Sequence, residues 1–305
     1  MIIIHVVGGL GNQLYCYAMY QKLRSLGRDV KLDISDYLPG AVHREKRDLE
    51  LLDLLAEAPD IAKPRECTRM KDDSRSFLAR VRRKVFGRNS RIYTEQAPYD
   101  TAVFELRDAY LEGYYNTEAY YTDILKTLRK DIVFPVSGQE VDTQNALQNR
   151  ALRGILQDTD SCALHIRRTD YLDPSTNGRY AGICTDAYYE AAMQYVKKLC
   201  PSVRFCVFSD DTAFARDYFD GRKDVEVVDM NTGKDSMNDM YLMAGCRYHI
   251  CANSTFSMWG ARLSERAGKC MIRPLYHDRM DQSTPEEIKK LWPDWILIDE
   301  TGNIR

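Results

Sequence analysis

The feature that most narrows the choice of fold is an alternation of short apolar runs with stretches of helical period. Residues 2–7 (Ile-Ile-Ile-His-Val-Val), 29–33, 162–166, 204–209, 225–229, 248–252 and 269–273 are runs of five or six residues built largely on Val, Ile, Leu, Phe and Cys. Residues 14–23, 122–134, 185–199 and 239–246 have apolar side chains at helical spacing. Unbroken apolar strands separated by helices imply a parallel sheet, because each crossover lays a helix on one of its faces. The chain is therefore predicted to be α/β, with two Rossmann-like halves separated near residues 135–155 and a working cleft between them. A length of 305 residues suits two cores better than one. The expected divisions are 1–145, 146–285, and a terminal helix and tail at 286–305. That helix opens on Thr284-Pro285-Glu286-Glu287, a capping box with proline at the first helical position, and is expected to fold back toward the first half.

Chemistry is expected where strands end, since ligands of open α/β sheets bind beyond the carboxyl ends. Residues 161–171 read Ser-Cys-Ala-Leu-His-Ile-Arg-Arg-Thr-Asp-Tyr, a buried run delivering one imidazole, two guanidiniums and one carboxylate within six positions. Adjacent residues of a strand point to opposite faces, so Arg167 and Arg168 cannot both be solvated ornaments. An interior arginine needs an anion, and the guanidinium fork suits phosphate. The plainer reading is a surface salt network of Arg167, Arg168 and Asp170.

Composition excludes more than it selects. A net charge of -2 and a pI near 6.2 do not fit a general nucleic-acid binder. Nine cysteines, odd in number and never spaced Cys-x-x-Cys, fit small hydrophobes in a reducing compartment better than disulfides or a zinc site. Residues 1–9 lack a basic leader, and no run approaches 18 apolar residues, so neither a signal peptide nor a spanning helix is expected. The expected setting is cytoplasmic.

The first strand runs into Gly8-Gly9-Leu10-Gly11-Asn12-Gln13 and then a helix. Free N–H groups at such a helix start cradle anions or sugar phosphates. Asp33 ends the next strand, near where a dinucleotide-binding fold keeps its ribose-binding acid. Leu14 occupies the third small-residue position of that fingerprint, and Asn12 and Gln13 add two amides it does not need. An NAD-dependent oxidoreductase is thus the runner-up. His5, inside the strand, reads as a core or supporting histidine.

Four further stretches carry signals. Residues 63–91 hold Lys63, Arg65, Arg69, Lys71, Arg75, Arg80, Arg82, Arg83, Lys84, Arg88 and Arg91 against Glu66, Asp72 and Asp73, with Phe77, Leu78, Val81 and Val85 at helical spacing. This basic amphipathic helix is either a solvated face or a peripheral contact with an anionic membrane surface or lipid-pyrophosphate-linked acceptor. Glu112 precedes Tyr114, Tyr115 and Asn116, a strand end of the kind a carbohydrate acceptor needs; packing tyrosines are the alternative. Phe208-Ser209-Asp210-Asp211 reads as a helix cap or acceptor contact in preference to a metal site. Asn253, Ser254, Thr255 and Ser257 open a helix as an anion-binding corner and, with Arg167 and Arg168, make a pyrophosphate the natural guest.

Three of these stretches, Gly8 to Leu14, His165-Ile166-Arg167-Arg168-Thr169-Asp170-Tyr171 and Asn253-Ser254-Thr255-Phe256-Ser257-Met258-Trp259-Gly260-Ala261, resemble the α-1,2-fucosyltransferases of glycosyltransferase family 11. The 208–211 block and Asp239-Met240-Tyr241-Leu242-Met243 match as well, so the resemblance spans most of the chain. Thr169 and Met258 stand where members usually carry Gly and a second Trp. The resemblance implies a GT-B enzyme with two Rossmann-like domains facing across a cleft, 1–145 on the acceptor side and 146–285 on the donor side. It implies transfer of L-fucose from GDP-fucose to the 2-hydroxyl of a terminal galactose, on an oligosaccharide or lipid-linked glycan, with inversion and without an obligatory metal or other cofactor. It further implies that Arg167 neutralises the departing β-phosphate, with Arg168 structural or phosphate-bound. His165 and Asp239 would read the guanine edge. Asn253, Ser254 and Thr255 would hold the phosphates, while Gly9, Gly11, Asn12 and Gln13 would face the sugar and pyrophosphate.

Displacement with inversion also needs a group to take the acceptor proton. Asp170, Asp33 and Glu112 are the candidates, and spacing does not choose among them. The expected setting is O-antigen or other bacterial surface-glycan assembly. A second reading, from a different class, is a nucleotide- or carbohydrate-binding protein without turnover.

Overall fold

The computed structural model describes residues 1–41, 47–176 and 178–305, and the chain divides into two compact units, Met1–Val133 and Phe134–Arg305. In the first unit β1 (Ile2–His5) leads to α1 (Leu10–Ser25), β2 (Val30–Asp33), α2 (Pro64–Lys71), α3 (Phe77–Phe86), β3 (Ile92–Thr94), β4 (Ala109–Glu112) and α4 (Leu125–Asp131). The four strands are parallel in the order β2-β1-β4-β3. Ile2, Ile3 and Ile4 are fully buried, as strands covered on both faces require. α1 buries residues on nearly every side, from Leu10 and Leu14 to Tyr20 and Leu23, so it is an interior helix.

The second unit opens with α5 (Gln144–Asp158), then β5 (Ser161–Ile166), α6 (Asp186–Leu199), β6 (Arg204–Ser209), α7 (Thr212–Tyr218), β7 (Val225–Val228), α8 (Met237–Met243), β8 (Tyr248–Ile250), α9 (Thr255–Leu263), β9 (Cys270–Pro274), α10 (Pro285–Leu291) and β10 (Trp295–Ile298). Six parallel strands run β10-β9-β8-β5-β6-β7. Alternate residues of β5 serve two cores. Cys162, Leu164 and Ile166 pack with Tyr188, Val196 and Val207, while Ala163 packs with Leu156, Phe208 and Met243. Burying one such aliphatic side chain stabilises by roughly 1.5–3 kcal/mol.

Both units are parallel α/β layers, as the GT-B expectation asks of each half. Two sequence expectations change. The division falls at 133/134, because a boundary at 145/146 would cut α5, a helix with only three buried side chains and hence a faint apolar period. The capping box at Thr284 is present, with Glu287 accepting from the Thr284 backbone N–H at 2.8 Å. After this helix, where sequence suggested only a tail, residues 295–298 form β10, the edge strand of the second unit's own sheet, paired to β9. All nine cysteines are free, and burial pushes the thiols of Cys16, Cys246 and Cys251 up to about 12, so these three serve as packing groups.

Candidate functional site

Strand order fixes where each sheet can bind a ligand. In the second unit the chain moves outward from β5 through β6 to β7, then returns to β5's other side as β8 and moves outward through β9 to β10. The topological switch point lies between β5 and β8, where two loops diverge and leave a crevice. The cluster after β5 and the polar corner at the start of α9 therefore share one rim. The Tyr171 hydroxyl donates to the Asn253 carbonyl at 2.6 Å, joining positions 82 residues apart. Beside them is a cavity of about 130 Å³ whose lining includes Arg167, Arg168, Tyr171, Tyr180, Tyr189 and Asn253.

Arg167 is gripped from two sides. Its Nε and Nη2 donate to the two oxygens of Asp170 at 2.7 and 2.9 Å, and Asp210 lies 3.3 Å from Nε. Burial works against the charge and these carboxylates outweigh it, so Arg167 titrates above the ordinary arginine value. Asp170 thus orients a guanidinium. Arg168, which like Arg167 lies just past the end of β5, stacks 3.5 Å over Phe214, sits 3.5 Å from Asp211 and lines the same cavity as Arg167. Asp210 accepts from the backbone N–H groups of Arg168 at 2.9 Å and Thr169 at 3.1 Å, and Asp211 caps α7 through Phe214 N–H at 3.0 Å. The acid pair is a loop bracket and a helix cap.

His165 is buried at the end of β5 on the α9 side, its ring 6.0 Å from Phe256. Burial, then the Arg167 charge, pushes its imidazole down to about 3, so it is neutral. Its Nδ1 is buried with no hydrogen-bond partner among the described residues, a polar atom that a water or a ligand group reaching the end of β5 would satisfy. Asn253 is a bracket, donating to the carbonyls of Tyr180 at 3.1 Å and His277 at 3.0 Å. Ser254 occupies the N-cap of α9 without its side chain capping it, and Thr255 is the first helical residue.

Asp239, in the first turn of α8, accepts from Asn231 at 2.9 Å. Burial raises its carboxyl to about 7, against the pull of that hydrogen bond. Asn231 is in turn held by Asn149, with Asn149 donating to it at 2.9 Å and accepting back at 2.9 Å, and by Asn145 at 3.1 Å. Sequence reasoning misses this amide bracket, although Asn145 and Asn149 share a helix face by spacing.

In the first unit the switch point lies between β1 and β4, flanked by Gly8-Gly9 and by Glu112-Gly113. Gly8 has φ +73°, the left-handed region that favours glycine, and a Cβ there would press on the Asn12 side chain, 2.6 Å from its Nδ2. Gly9 is the N-cap of α1, Gly11 is buried in its first turn, and Asn12 is half-buried. Gln13 departs from expectation. Its amide donates to the carbonyls of Gly8 at 2.9 Å and Asp48 at 2.8 Å, and its oxygen accepts from Glu50 and Leu51 N–H at 3.0 Å each. That exhausts both donors and both lone pairs, making it an internal clamp.

Asp33 also departs. It is buried, accepts from the Tyr110 hydroxyl at 2.7 Å and Ser35 N–H at 2.9 Å, and lies 3.6 Å from Lys71. Burial would raise its carboxyl, and these hydrogen bonds outweigh that and hold it low, so it is a structural anion. Tyr115 is buried at φ +49° against Tyr120, whereas Tyr114 is 53% exposed. Asn116 is half-buried. The turn is held by Glu95, which no sequence motif marks: one oxygen accepts from Tyr114 and Tyr115 N–H at 3.1 Å each, the other from the Tyr120 hydroxyl at 2.9 Å. Glu112, half-buried, ends β4, and the register Ile4↔Leu111 sets it beside His5. His5 Nε2 is 2.9 Å from Asp36, a carboxylate-oriented imidazole at the same rim.

Comparison with known proteins gives the class. Residues 98–299, more than half of the chain, match a model of glycosyltransferases. The chain belongs to glycosyl transferase family 11. It is 28% identical over 278 residues to an alpha-1,2-colitosyltransferase of Escherichia coli, covering 86% of this chain and 87% of that one. It is 27% identical over 283 residues to the O-antigen biosynthesis glycosyltransferase WbnK of Escherichia coli, covering 88% and 91%. Among solved structures the fucosyltransferase NodZ from Bradyrhizobium matches at TM-score 0.48 and 16% identity, over 85% of this chain and 90% of that one.

Proposed function

We propose that this enzyme transfers L-fucose from GDP-fucose to the 2-hydroxyl of a terminal galactose, with inversion, during O-antigen assembly. One observation carries the reading: within the family-matched segment, Arg167 and the open Nδ1 of His165 lie at the switch point of the second sheet. A glycosyl phosphate breaks toward an oxocarbenium-like state while charge collects on the phosphates. A guanidinium already oriented by Asp170, beside a helix N-terminus, stabilises that charge without reorganising. These groups support a reaction with no obligatory metal, so chelation with EDTA is expected to leave the rate unchanged.

Inversion from a β-linked donor gives an α linkage, the linkage in the name of the colitosyltransferase relative. That name also favours a second donor, GDP-colitose, whose sugar is fucose without its 3-hydroxyl. For the acceptor proton, Asp170 and Asp33 are committed elsewhere, leaving Glu112 and the adjacent His5–Asp36 pair. The deciding experiment measures GDP release from both sugar nucleotides over a panel of galactosides and locates the new linkage by NMR. An α-1,2 product from GDP-fucose is expected. Release no faster than hydrolysis with every acceptor overturns the reading and favours a binding protein; turnover with GDP-colitose alone reassigns the donor.

A further inference from the structure

A surface helix normally turns its apolar side to the core. α3 does the reverse. At about 100° per residue, Phe77, Val81, Val85 and Leu78 share one arc, and all four are exposed, from 43% at Val81 to 79% at Leu78. The opposite arc carries Ala79, Arg82, Arg83 and, at the helix end, the exposed Phe86, and the two arginines on it make the attachment. Arg82 pairs with the Asp72 carboxylate, and Arg83 donates to the carbonyls of Asp72 at 3.1 Å and Ser74 at 2.6 Å. Asp72 is buried and also accepts from Asn89 N–H at 2.7 Å. A capped start at Ser76 and a glycine end at Gly87 complete the helix. The outward apolar ridge is thus held outward by specific bonds.

Cations surround the ridge. Arg80 and Lys84 border it, Arg75 precedes it, and none of the three has an acidic partner among the described residues. In the same unit a cavity of about 530 Å³ is lined by Arg65, Arg69, Arg82 and Arg91. Arg65 and Arg69 of α2 likewise have no acidic partner among the described residues. An apolar ridge among unneutralised cations complements a layer of phosphates over hydrocarbon.

We infer that α3 docks in the headgroup layer of an anionic lipid bilayer, its apolar ridge entering the acyl boundary and Arg65 and Arg69 of the cavity taking lipid phosphates, while Arg82 and Arg91 stay paired with Asp72 and Asp108. The assignment does not depend on which sugar nucleotide the enzyme uses. Charge reversal at Arg82 and Arg83 tests it badly, because those side chains fasten the helix to Asp72.

The test is flotation of the full chain with phosphatidylcholine vesicles, with and without phosphatidylglycerol, at low and high salt. Binding is expected only to the anionic vesicles and is expected to weaken with salt. Combined Phe77→Ser, Leu78→Ser and Val85→Ser substitution is expected to abolish it, and Arg80→Glu with Lys84→Glu to weaken it about tenfold or more. Both variants change exposed side chains, so the melting temperature and GDP release with a water-soluble galactoside stay as in the parent. No binding to either vesicle, or anionic binding untouched by the triple variant, overturns the inference. Self-association in solution that the triple variant dissolves, without vesicle binding, assigns the ridge to a second copy and overturns it equally.

Discussion

Arg167 stands between two demands, since the carboxylates that hold its guanidinium in place also compete with any phosphate for it. Asp170 takes Nε and Nη2, which leaves Nη1 as the end not committed to that pair. Arg167→Ala is expected to reduce kcat about 10²–10³-fold, the cost of one preorganised charge aimed at a developing anion. The fold should survive, with a loss of roughly 1 kcal/mol for a partly exposed pair. Asp170→Asn keeps a hydrogen-bond acceptor but loosens the guanidinium, and about a tenfold loss in kcat with little change in KM is expected. Steady-state kinetics with thermal melts checks both. Unchanged kcat in Arg167→Ala would remove the residue from the mechanism.

At the scale of elements, the amide bracket ties α5, the loop after β7 and the start of α8 into one support for Asp239. Burial leaves that carboxyl near 7, so in the free enzyme it binds a proton that the unfolded chain has already lost. Its contribution to stability therefore falls as pH rises between about 4 and 7. Guanine offers two N–H donors and needs the ionised form, so GDP affinity is expected to fall by up to about tenfold per pH unit below 7 and to level off above it. Asp239→Asn should bind GDP more weakly and without this pH dependence. Calorimetric titration across pH 5–8 decides, and a flat profile in the parent enzyme would detach Asp239 from the nucleotide. The bracket was invisible in sequence because Asn149 and Asn231 are partners across 82 positions. Gly8 was legible, since a left-handed turn that close to the following helix favours glycine.

At the scale of the whole molecule, each unit has its own parallel sheet and its own buried strands. The groups proposed to hold GDP on Arg167, His165, Asp239 and Ser254 all lie in residues 134–305. GDP at a hundredfold excess over its Kd stabilises the state that binds it by about 2.7 kcal/mol. Calorimetric scanning is expected to show that shift only in the transition that Leu164→Ala lowers, while the transition lowered by Ile4→Ala stays in place. Each core truncation is worth roughly 2–5 kcal/mol. Equal movement of both transitions with GDP would show that the nucleotide site draws on residues of both units.

What the chain alone determined was local. Apolar runs too short for helices, alternating with helical spacing, dictate parallel α/β layers, because a strand buried on both faces needs a crossover helix on each. Glycine at position 8, the charged groups after residue 164 and the hydroxyls from residue 254 were readable because turn and cap chemistry depends on near neighbours. The tertiary structure decided what those groups meet. Strand order sets β5 against β8 and so unites Arg167 with the start of α9, and it turns residues 295–298 into an edge strand. Sequence shows that residues 77–85 have an apolar side, but which way that side faces depends on Arg82, Arg83 and a buried Asp72 ten positions away. Periodicity identifies an apolar face, and only long-range packing determines whether it meets a core or is left for another surface.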